Sequence, residues 1–198
     1  MINEIICSIK ASAKENFVPI VRDNTLDVML ELIEKTQPKR ILEIGTAVGY
    51  SALNMLARCD GDIVTIEKNE DRARQAQSNF KQALVEERVK LLEGDALDVL
   101  NGLNEEGEMF DFVFLDGPKG QYIRYLPVIL KMLNDGGIIF ADNVGLLGLV
   151  ADSEKVNHKN RTMVRNMQAF LTAVKTDTSL NTEIFDIDDG YAIIQKIK

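Results

Sequence analysis

An α/β fold built on one mostly parallel β-sheet is the fold class that this sequence predicts, and three observations support it. Strand-like and helix-like segments alternate at short intervals after an N-terminal helical region. Phe110–Leu115 is almost continuously apolar, which is typical of a strand covered on both faces. Two β-rich segments flank Asp188-Asp189-Gly190, a hairpin signal, so the sheet is predicted to end in an antiparallel pair.

The individual elements follow from the spacing of apolar residues along the chain. The N-terminal region is predicted to end with a helix over 24–37, for which Asn24 is a suitable N-cap. Short runs of apolar and β-branched residues predict strands over 40–44, 62–66, 89–92, 110–115, 137–141, 181–187 and 191–197. Apolar residues at helical spacing predict helices over 50–58, 70–85 and 161–175.

Length and composition restrict the protein class. A chain of 198 residues with 45% hydrophobic and 27% charged residues suits one globular domain, here 1–198 with a helical segment over 1–37. The sequence contains no apolar run of the ~18 residues that a membrane span needs. Cys7 and Cys59 are its only cysteines, so we expect no disulfide framework and a cytoplasmic location.

Two further counts restrict the chemistry. His158 is the only histidine, which excludes a zinc site built from several histidines. A metal would therefore be held mainly by carboxylate, amide and water oxygens, which favours magnesium, calcium or manganese. The net charge of -8 argues against broad nucleic-acid binding but is compatible with a local basic patch.

A glycine loop, Glu43-Ile-Gly45-Thr-Ala-Val-Gly49-Tyr-Ser51, follows the first predicted strand. Gly45 allows a ligand to approach the backbone, and Gly49 permits the turn into the helix, although glycine also simply closes turns. The glycine interval is one residue longer than in a dinucleotide fingerprint. Glu43 would repel a pyrophosphate but suits a ligand with an ammonium or sulfonium group, and Ser51 can bond a carboxylate.

Two residues after the next strands extend this cofactor prediction. Glu67 ends the second strand about 20 residues after the loop, where an acid typically bonds ribose hydroxyls. The alternative for Glu67 is an acid favoured by the dipole of the following helix. Asp95 and Ala96 follow the third strand and are expected beside an adenine. A ribose, an adenine and a cation together indicate S-adenosylmethionine.

Acids and amides also end two later strands. Asp116 follows one strand, and Asp142 and Asn143 follow the next, so their oxygens can form half of the shell around a hard dication. Lys119 comes three residues after Asp116, and its pKa would fall near a dication, which suits a general base. The alternatives are ordinary turn chemistry for the acids and a solvated loop position for Lys119.

With these motifs the chain resembles the cation-dependent O-methyltransferases, the family of catechol and caffeoyl-CoA methyltransferases. The resemblance covers essentially the whole chain. The motifs that carry it are Glu43-x-Gly45-x-x-x-Gly49-Tyr-Ser51, Glu67, Asp116 with Lys119, and Ala141-Asp142-Asn143-Val144. It implies a Rossmann-like class I methyltransferase with a seven-stranded, mostly parallel sheet, helices on both faces and an antiparallel C-terminal hairpin. It also implies a homodimer.

The resemblance assigns roles to individual residues. It implies that Asp116, Asp142 and Asn143 hold a magnesium, manganese or calcium ion and that Lys119 is the catalytic base. It implies a S-adenosylmethionine site lined by Val21, Ser51, Glu67, Ala96 and Asp116. Val21 belongs to the N-terminal segment that folds over the cofactor in this family.

The acceptor is the open question. Within the family the chain most resembles the bacterial tRNA 5-hydroxyuridine methyltransferases, through Lys119-Gly-Gln-Tyr122, Gly148-Leu-Val-Ala151 and Lys159-Asn-Arg-Thr-Met-Val-Arg165. This likeness implies methylation of 5-hydroxyuridine in tRNA to 5-methoxyuridine. The alternative is a catechol-type or caffeoyl-CoA-type enzyme acting on vicinal hydroxyls of a small molecule. Either acceptor offers a metal two neighbouring oxygens.

The surroundings of the site favour the tRNA reading. Lys155, Lys159, Arg161 and Arg165 lie within 11 residues that contain no acid, a plausible phosphate contact unless they form an ordinary solvated helix start. Tyr122, Tyr125 or Phe170 can stack on a base, although core positions suit all three. A third hypothesis is a nucleotide-binding domain without methyl transfer, such as a dehydrogenase, which Glu43 and the glycine interval disfavour.

Overall fold

A computed structural model describes residues 2–150 and 157–197 of the chain. Its strands are β1 (Arg40–Ile44), β2 (Asp62–Glu67), β3 (Val89–Glu93), β4 (Phe110–Leu115), β5 (Leu133–Asp142), β6 (Leu180–Phe185) and β7 (Tyr191–Lys196). Its α-helices are α1 (Ile2–Glu15), α2 (Asp23–Thr36), α3 (Tyr50–Leu56), α4 (Glu70–Gln82), α5 (Ala96–Glu105), α6 (Tyr122–Met132) and α7 (Arg161–Thr176). No helix in the described ranges combines the length and apolar character needed to cross a membrane.

Within the described residues the strands form one seven-stranded sheet in the order β3-β2-β1-β4-β5-β7-β6. β1 pairs parallel to β2, β2 to β3, and β4 to β5, whereas β7 is antiparallel to both β5 and β6. The predicted fold class, a mostly parallel sheet with helices around it and an antiparallel C-terminal pair, is confirmed. By compactness the chain divides into two units, Met1–Val99 and Leu100–Lys198.

In the first unit, strands β1 and β2 bury their apolar side chains. Ile41, Leu42 and Ile44 of β1 are at most 1% exposed, and burial of such side chains contributes about 1.5–3 kcal/mol each. Helix α4 begins after Asn69, whose side chain accepts a hydrogen bond from the backbone N–H of Arg72. It ends before Leu84, which has a φ of 56°.

In the second unit, aromatic residues on neighbouring strands fill the core. Phe140 of β5 lies 6.1 Å from Phe114 of β4 and stacks on Tyr191 of β7 at 5.1 Å between ring centroids. The register pairs Leu115 with Ala141, so the residues that follow them start at the same level of the sheet. This level is the carboxyl edge of the two strands, where ligands bind in open α/β sheets.

Two local predictions were wrong, and two helices were missed. Helix α2 begins at Asp23 with Arg22 as its N-cap residue in extended conformation, so Asn24 lies in the first turn instead of capping the helix. Helix α4 ends at Gln82, three residues before the predicted end, because the left-handed Leu84 breaks the helical path. Helices α5 and α6 were not assigned from the sequence, and α6 contains Pro127, a residue that argues against a helix interior.

Candidate functional site

A hydroxyl cluster surrounds Glu43 in the first unit. Glu43 is fully buried on β1 and accepts a short hydrogen bond from the Ser51 hydroxyl and one of 2.5 Å from the Thr65 hydroxyl. Thr46 shares a 2.6 Å hydrogen bond with Thr65. We call these four residues the Glu43 cluster. It joins β1, the glycine loop, α3 and β2 beneath the backbone that was predicted to hold the cofactor.

The glycine loop is fixed to the end of β2. Gly45, with a φ of 106°, donates its N–H to the Ile66 carbonyl at 3.0 Å. Glu67 is 9% exposed and accepts hydrogen bonds from the N–H groups of Ala47 at 2.9 Å and Asn69 at 2.8 Å. Glu67 therefore stabilises the loop and lies at the carboxyl end of β2, where a ribose is expected.

The close packing of Gly49 explains why the loop needs a glycine there. Gly49 has a φ of 82°, and a Cβ at this position would lie 2.6 Å from the Phe80 ring. The other predicted cofactor residues of this unit lie at element ends. Ala96 is the first residue of α5 and Val21 precedes α2, and both are buried.

A second group of polar residues follows β4 and β5, and we call it the strand-end cluster: Asp116, Lys119, Tyr122, Asp142 and Asn143. The Lys119 Nζ donates to the Asp116 carboxylate at 2.5 Å and to the Tyr122 hydroxyl at 3.0 Å. The side chains of Lys119 and Asp116 are 19% and 24% exposed. Pro118 precedes a single 3₁₀ turn, Lys119–Gln121, which directs Lys119 back toward the strand end.

The β5 end adds the second carboxylate of the strand-end cluster. Asp142 is 3% exposed, and its Oδ1 accepts a 2.6 Å hydrogen bond from the Asn143 N–H. Asn143 adopts a left-handed φ of 55°, which asparagine tolerates better than most residues. The sequence-based prediction that Asp116 and Asp142–Asn143 end neighbouring strands agrees with the parallel pairing of β4 and β5.

The pKa values of two groups in the strand-end cluster, Lys119 and Tyr122, are strongly shifted. Burial lowers the pKa of Lys119, but its interactions with Tyr122 and Asp116 outweigh burial, so the pKa lies above its ordinary value. Burial raises the pKa of Tyr122, which keeps its hydroxyl protonated at neutral pH. The lowered Lys119 pKa expected from the sequence depends on a nearby dication, and the protein groups alone shift it the other way.

The buried carboxyl group of Asp142 is destabilised in its charged form. Burial, and then the negative charge of Asp116, raise its pKa to about 6, despite the positive charge of Lys119 and the Asn143 N–H. Two acids and one lysine leave the cluster with one excess negative charge. A divalent cation would stabilise both carboxylates, so the oxygen donors of Asp116, Asp142 and Asn143 fit a hard metal ion.

The described residues contain no group of three or more His, Cys, Asp or Glu side chains positioned to hold a metal. The strand-end cluster supplies two carboxylates, and its third predicted ligand is the amide of Asn143. Such a set leaves positions for water or an acceptor, as is common for magnesium. Whether these side chains bind a metal stays a prediction.

Of the features that favoured a tRNA acceptor, the described basic residues are exposed, whereas the aromatic residues are buried. Lys159, Arg161 and Arg165 are exposed at the start of α7, while Lys155 lies outside the described residues. Tyr122, Tyr125 and Phe170 are at most 3% exposed, which places them in the core rather than on a surface where a base can stack.

Two residues of the site were missed or misread from the sequence. Thr65 lies mid-strand, where its hydroxyl has no sequence signal beyond its position opposite Glu43 in the parallel register. Tyr122 follows Lys119 by three residues, a spacing that brings two side chains together on a helical turn. That spacing was a usable signal for the lysine–tyrosine contact.

Comparisons with known proteins identify the family of this chain. The family model described as O-methyltransferase matches residues 7–197. A caffeoyl-CoA O-methyltransferase from Populus kitakamiensis is 28% identical over 186 residues, which cover 91% of this chain and 78% of that protein. A catechol O-methyltransferase from Niastella koreensis is 31% identical over 159 residues, which cover 79% of this chain and 70% of that protein.

A solved structure gives the same result. The O-methyltransferase from Bacillus cereus, crystallised in complex with SAH, superposes with a TM-score of 0.87 at 25% identity, covering 98% of this chain and 90% of that chain. The family match over nearly the whole sequence confirms the predicted enzyme class, a S-adenosylmethionine-dependent O-methyltransferase. The chain therefore belongs to the O-methyltransferase family.

Proposed function

We propose that the protein transfers the methyl group of S-adenosylmethionine to one hydroxyl of a small molecule with vicinal hydroxyls, in a reaction that needs a divalent cation. The observation that carries the proposal is the pair of acids at adjacent strand ends, with Asp142 3% exposed and Lys119 bound to Asp116. The similarity to a caffeoyl-CoA and a catechol O-methyltransferase supports the acceptor class.

The methyl donor is assigned to the first unit. Gly45 and the loop after it would approach the donor, Glu67 would bond its ribose, and Ala96 would lie beside its adenine. Val21 would cover the donor from the N-terminal side. Glu43 is fully buried and paired with Ser51 and Thr65, so we assign it to supporting the loop, with its negative charge favouring a sulfonium at longer range.

The acceptor is assigned to the strand-end cluster, where Asp116, Asp142 and Asn143 would hold the metal. A bound dication supplies Lewis-acid activation of the acceptor hydroxyl and offsets part of the Asp116 charge. With the Asp116 charge offset in this way, the Lys119 ammonium would release its proton to solvent, and its neutral Nζ would then accept the hydroxyl proton of the acceptor. Alignment of the reacting atoms contributes up to about 7–11 kcal/mol to lowering such a barrier.

The decisive experiment measures methyl transfer from labelled S-adenosylmethionine to catechol and to phenol, which has a single hydroxyl. We expect methylation of catechol with magnesium, a loss of at least about a hundredfold in excess EDTA, and little transfer to phenol. Full activity in EDTA would disprove the metal requirement, and equal rates on both acceptors would disprove the vicinal-hydroxyl requirement.

The role of Lys119 has its own test. Lys119→Met keeps a side chain of similar length without the amine, and we expect kcat to fall about 10²–10⁴-fold, the usual contribution of a general base. Lys131→Met, on the exposed end of α6, is the matched control and should retain activity. Activity of Lys119→Met within twofold of the wild type would exclude the base role.

Methylation of 5-hydroxyuridine in tRNA is the second candidate, and the exposed cations Lys159, Arg161 and Arg165 favour it. The double variant Lys159→Glu with Arg161→Glu should then weaken tRNA binding and lower its salt slope by about one unit per lost phosphate contact. Lys175→Glu at the other end of α7 is the control. Unchanged tRNA binding by the double variant would rule out this strip as an RNA contact.

The homodimer and the cytoplasmic location remain predictions from the sequence. Sedimentation velocity tests the first, and fractionation of cells that express the native chain tests the second. A monomer at micromolar concentration would contradict the dimer.

A further inference from the structure

The hydroxyl of Tyr122 joins three parts of the strand-end cluster. Tyr122 is fully buried at the first turn of α6. Its hydroxyl lies 2.8 Å from the carbonyl oxygen of Leu115 and 3.1 Å from that of Asp142, and it accepts a 3.0 Å hydrogen bond from Lys119. One oxygen atom therefore contacts the end of β4, the end of β5 and the amine between them.

The chemistry of a phenol matches this position. A tyrosine hydroxyl has one proton to donate and lone pairs that accept. Because Lys119 donates to it, the single proton is shared between the carbonyls of Leu115 and Asp142. Leu115 directly precedes Asp116, so the hydroxyl connects the backbone on which both predicted metal carboxylates are mounted.

The ring of Tyr122 is fixed independently of its hydroxyl. It packs edge to face on Phe170 of α7 with 5.5 Å between centroids, and the Lys119 Nζ lies 5.4 Å from its centre. Asn166 of α7 also donates to the Gly120 carbonyl at 2.8 Å, which holds the loop between Lys119 and Tyr122. A phenylalanine at 122 would keep the ring contacts and lose only the polar link.

We propose that Tyr122 is a positioning residue, whose hydroxyl sets the spacing of Asp116 and Asp142 and directs Lys119; this rests on the proposed metal and base roles. Groups that orient metal ligands from behind typically change metal affinity by about 10–100-fold when they are removed. A displacement of about 1 Å at a reacting group can cost about a hundredfold in rate. The Tyr122 hydroxyl oxygen would therefore affect both metal affinity and reaction rate.

The test compares Tyr122→Phe with Tyr125→Phe, which removes another buried hydroxyl from the same helix. For Tyr122→Phe we expect the Kd for Mn²⁺, measured on the metal-free protein by the EPR signal of free Mn²⁺, to rise about tenfold or more. We expect kcat to fall about ten- to a hundredfold with the KM for S-adenosylmethionine unchanged within twofold. Tyr125→Phe should change none of these by more than about twofold.

A second variant separates the two functions of the hydroxyl, donation to the backbone carbonyls and acceptance from Lys119. It also keeps the proposal testable if Tyr122→Phe folds poorly. Replacing Tyr122 with 4-aminophenylalanine supplies two N–H donors for the two carbonyls but a weak acceptor for Lys119. We expect this variant to restore the Mn²⁺ affinity to within about threefold of the wild type while kcat recovers only in part. An Mn²⁺ affinity as low as expected for Tyr122→Phe would overturn the proposal.

The remaining outcomes distinguish this inference from the proposed function. Wild-type protein that binds no Mn²⁺ and methylates fully in EDTA overturns both the metal role and this inference. Wild-type protein that needs the metal, with Tyr122→Phe equal to it in Kd and kcat, overturns only the inference. Equal losses in Tyr122→Phe and Tyr125→Phe also overturn it, because any buried hydroxyl would then have the same effect.

Discussion

Glu43 in the first unit and Asp142 in the second are both buried acids on parallel strands, but their surroundings differ in kind. Glu43 accepts hydrogen bonds from the hydroxyls of Ser51 and Thr65, neutral groups that belong to the protein. Asp142 is close enough to the Asp116 carboxylate to be affected by its negative charge, and it accepts a hydrogen bond from the neighbouring Asn143 N–H. Hydroxyl groups of the protein stabilise the first acid, whereas the second carries a negative charge that a divalent cation would compensate.

This difference accords with the two proposed roles, support of the glycine loop for Glu43 and metal binding for Asp142. Buried charge is costly unless hydrogen bonds or an opposite charge compensate it. Hydroxyl donors compensate Glu43 at all times, so its contribution should appear in stability. The charge of Asp142 is compensated only to the extent that nearby groups or a cation carry positive charge. Its contribution should therefore appear in activity, metal affinity and pH dependence.

The largest effect that would sharpen this contrast is expected from Asp142→Ala. We expect methyl transfer to catechol to fall at least about a hundredfold, because a metal ligand and its several kcal/mol of charge stabilisation are lost. Binding of S-adenosylmethionine, measured by calorimetry, should change by no more than about threefold. Asp135→Ala, an exposed acid in the same unit, is the control. Retention of activity by Asp142→Ala would remove the distinction between the two acids.

A smaller effect is expected on the stability of the metal-free protein. Asp142 has a pKa of about 6 in the folded chain, so the fold favours its protonated form. As the pH rises from about 4 to above 6, the unfolded chain loses this proton first and stability falls, by on the order of 2–3 kcal/mol. Asp142→Asn should remove this loss in urea unfolding with EDTA present. A pH dependence identical to that of the wild type would contradict the assignment.

The smallest effect is expected at the other acid. Thr65→Val keeps the shape of a β-branched side chain and removes one of the hydroxyl donors to Glu43. We expect the free energy of unfolding to fall by about 1–3 kcal/mol at neutral pH, the cost of leaving a buried acceptor without a donor. Thr172→Val on α7 should cost less than about 0.5 kcal/mol. A rate loss in Thr65→Val that exceeds its stability loss would assign the Glu43 cluster to catalysis.

Much of the fold could be predicted from the sequence because short runs of apolar residues mark its strands. The strand predicted over 110–115 coincides with β4, and the Asp188-Asp189-Gly190 signal lies between β6 and β7. Helix α6 was not accessible, since Pro127 argues against a helix and burial of Tyr122, Tyr125 and Ile129 overrides that local preference. Tertiary packing of this kind has no counterpart in a short sequence window.

The site residues show the same distinction between what local sequence patterns predict and what depends on tertiary structure. The positions of Asp116 and Asp142 follow from strand ends and the chain order of two parallel strands, which local patterns predict. The partners of Glu43 and the three contacts of Tyr122 depend on register and on side-chain direction across separate elements. The raised pKa of Lys119 in the metal-free protein follows from its contacts with Asp116 and Tyr122, which residue types alone do not reveal.

The antiparallel strand β7 has a consequence for how the molecule forms. β5, which carries Asp142 at its end, takes Tyr191–Lys196 as a neighbour, and the turn before β7 packs so tightly that a Cβ on Gly145 would lie 2.8 Å from the Asp189 carbonyl. Some 50 residues separate these partners along the chain, and pairings between residues so far apart in sequence slow folding. The pairing between β5 and β7 in the second unit can therefore form only when residues 191–196 are available.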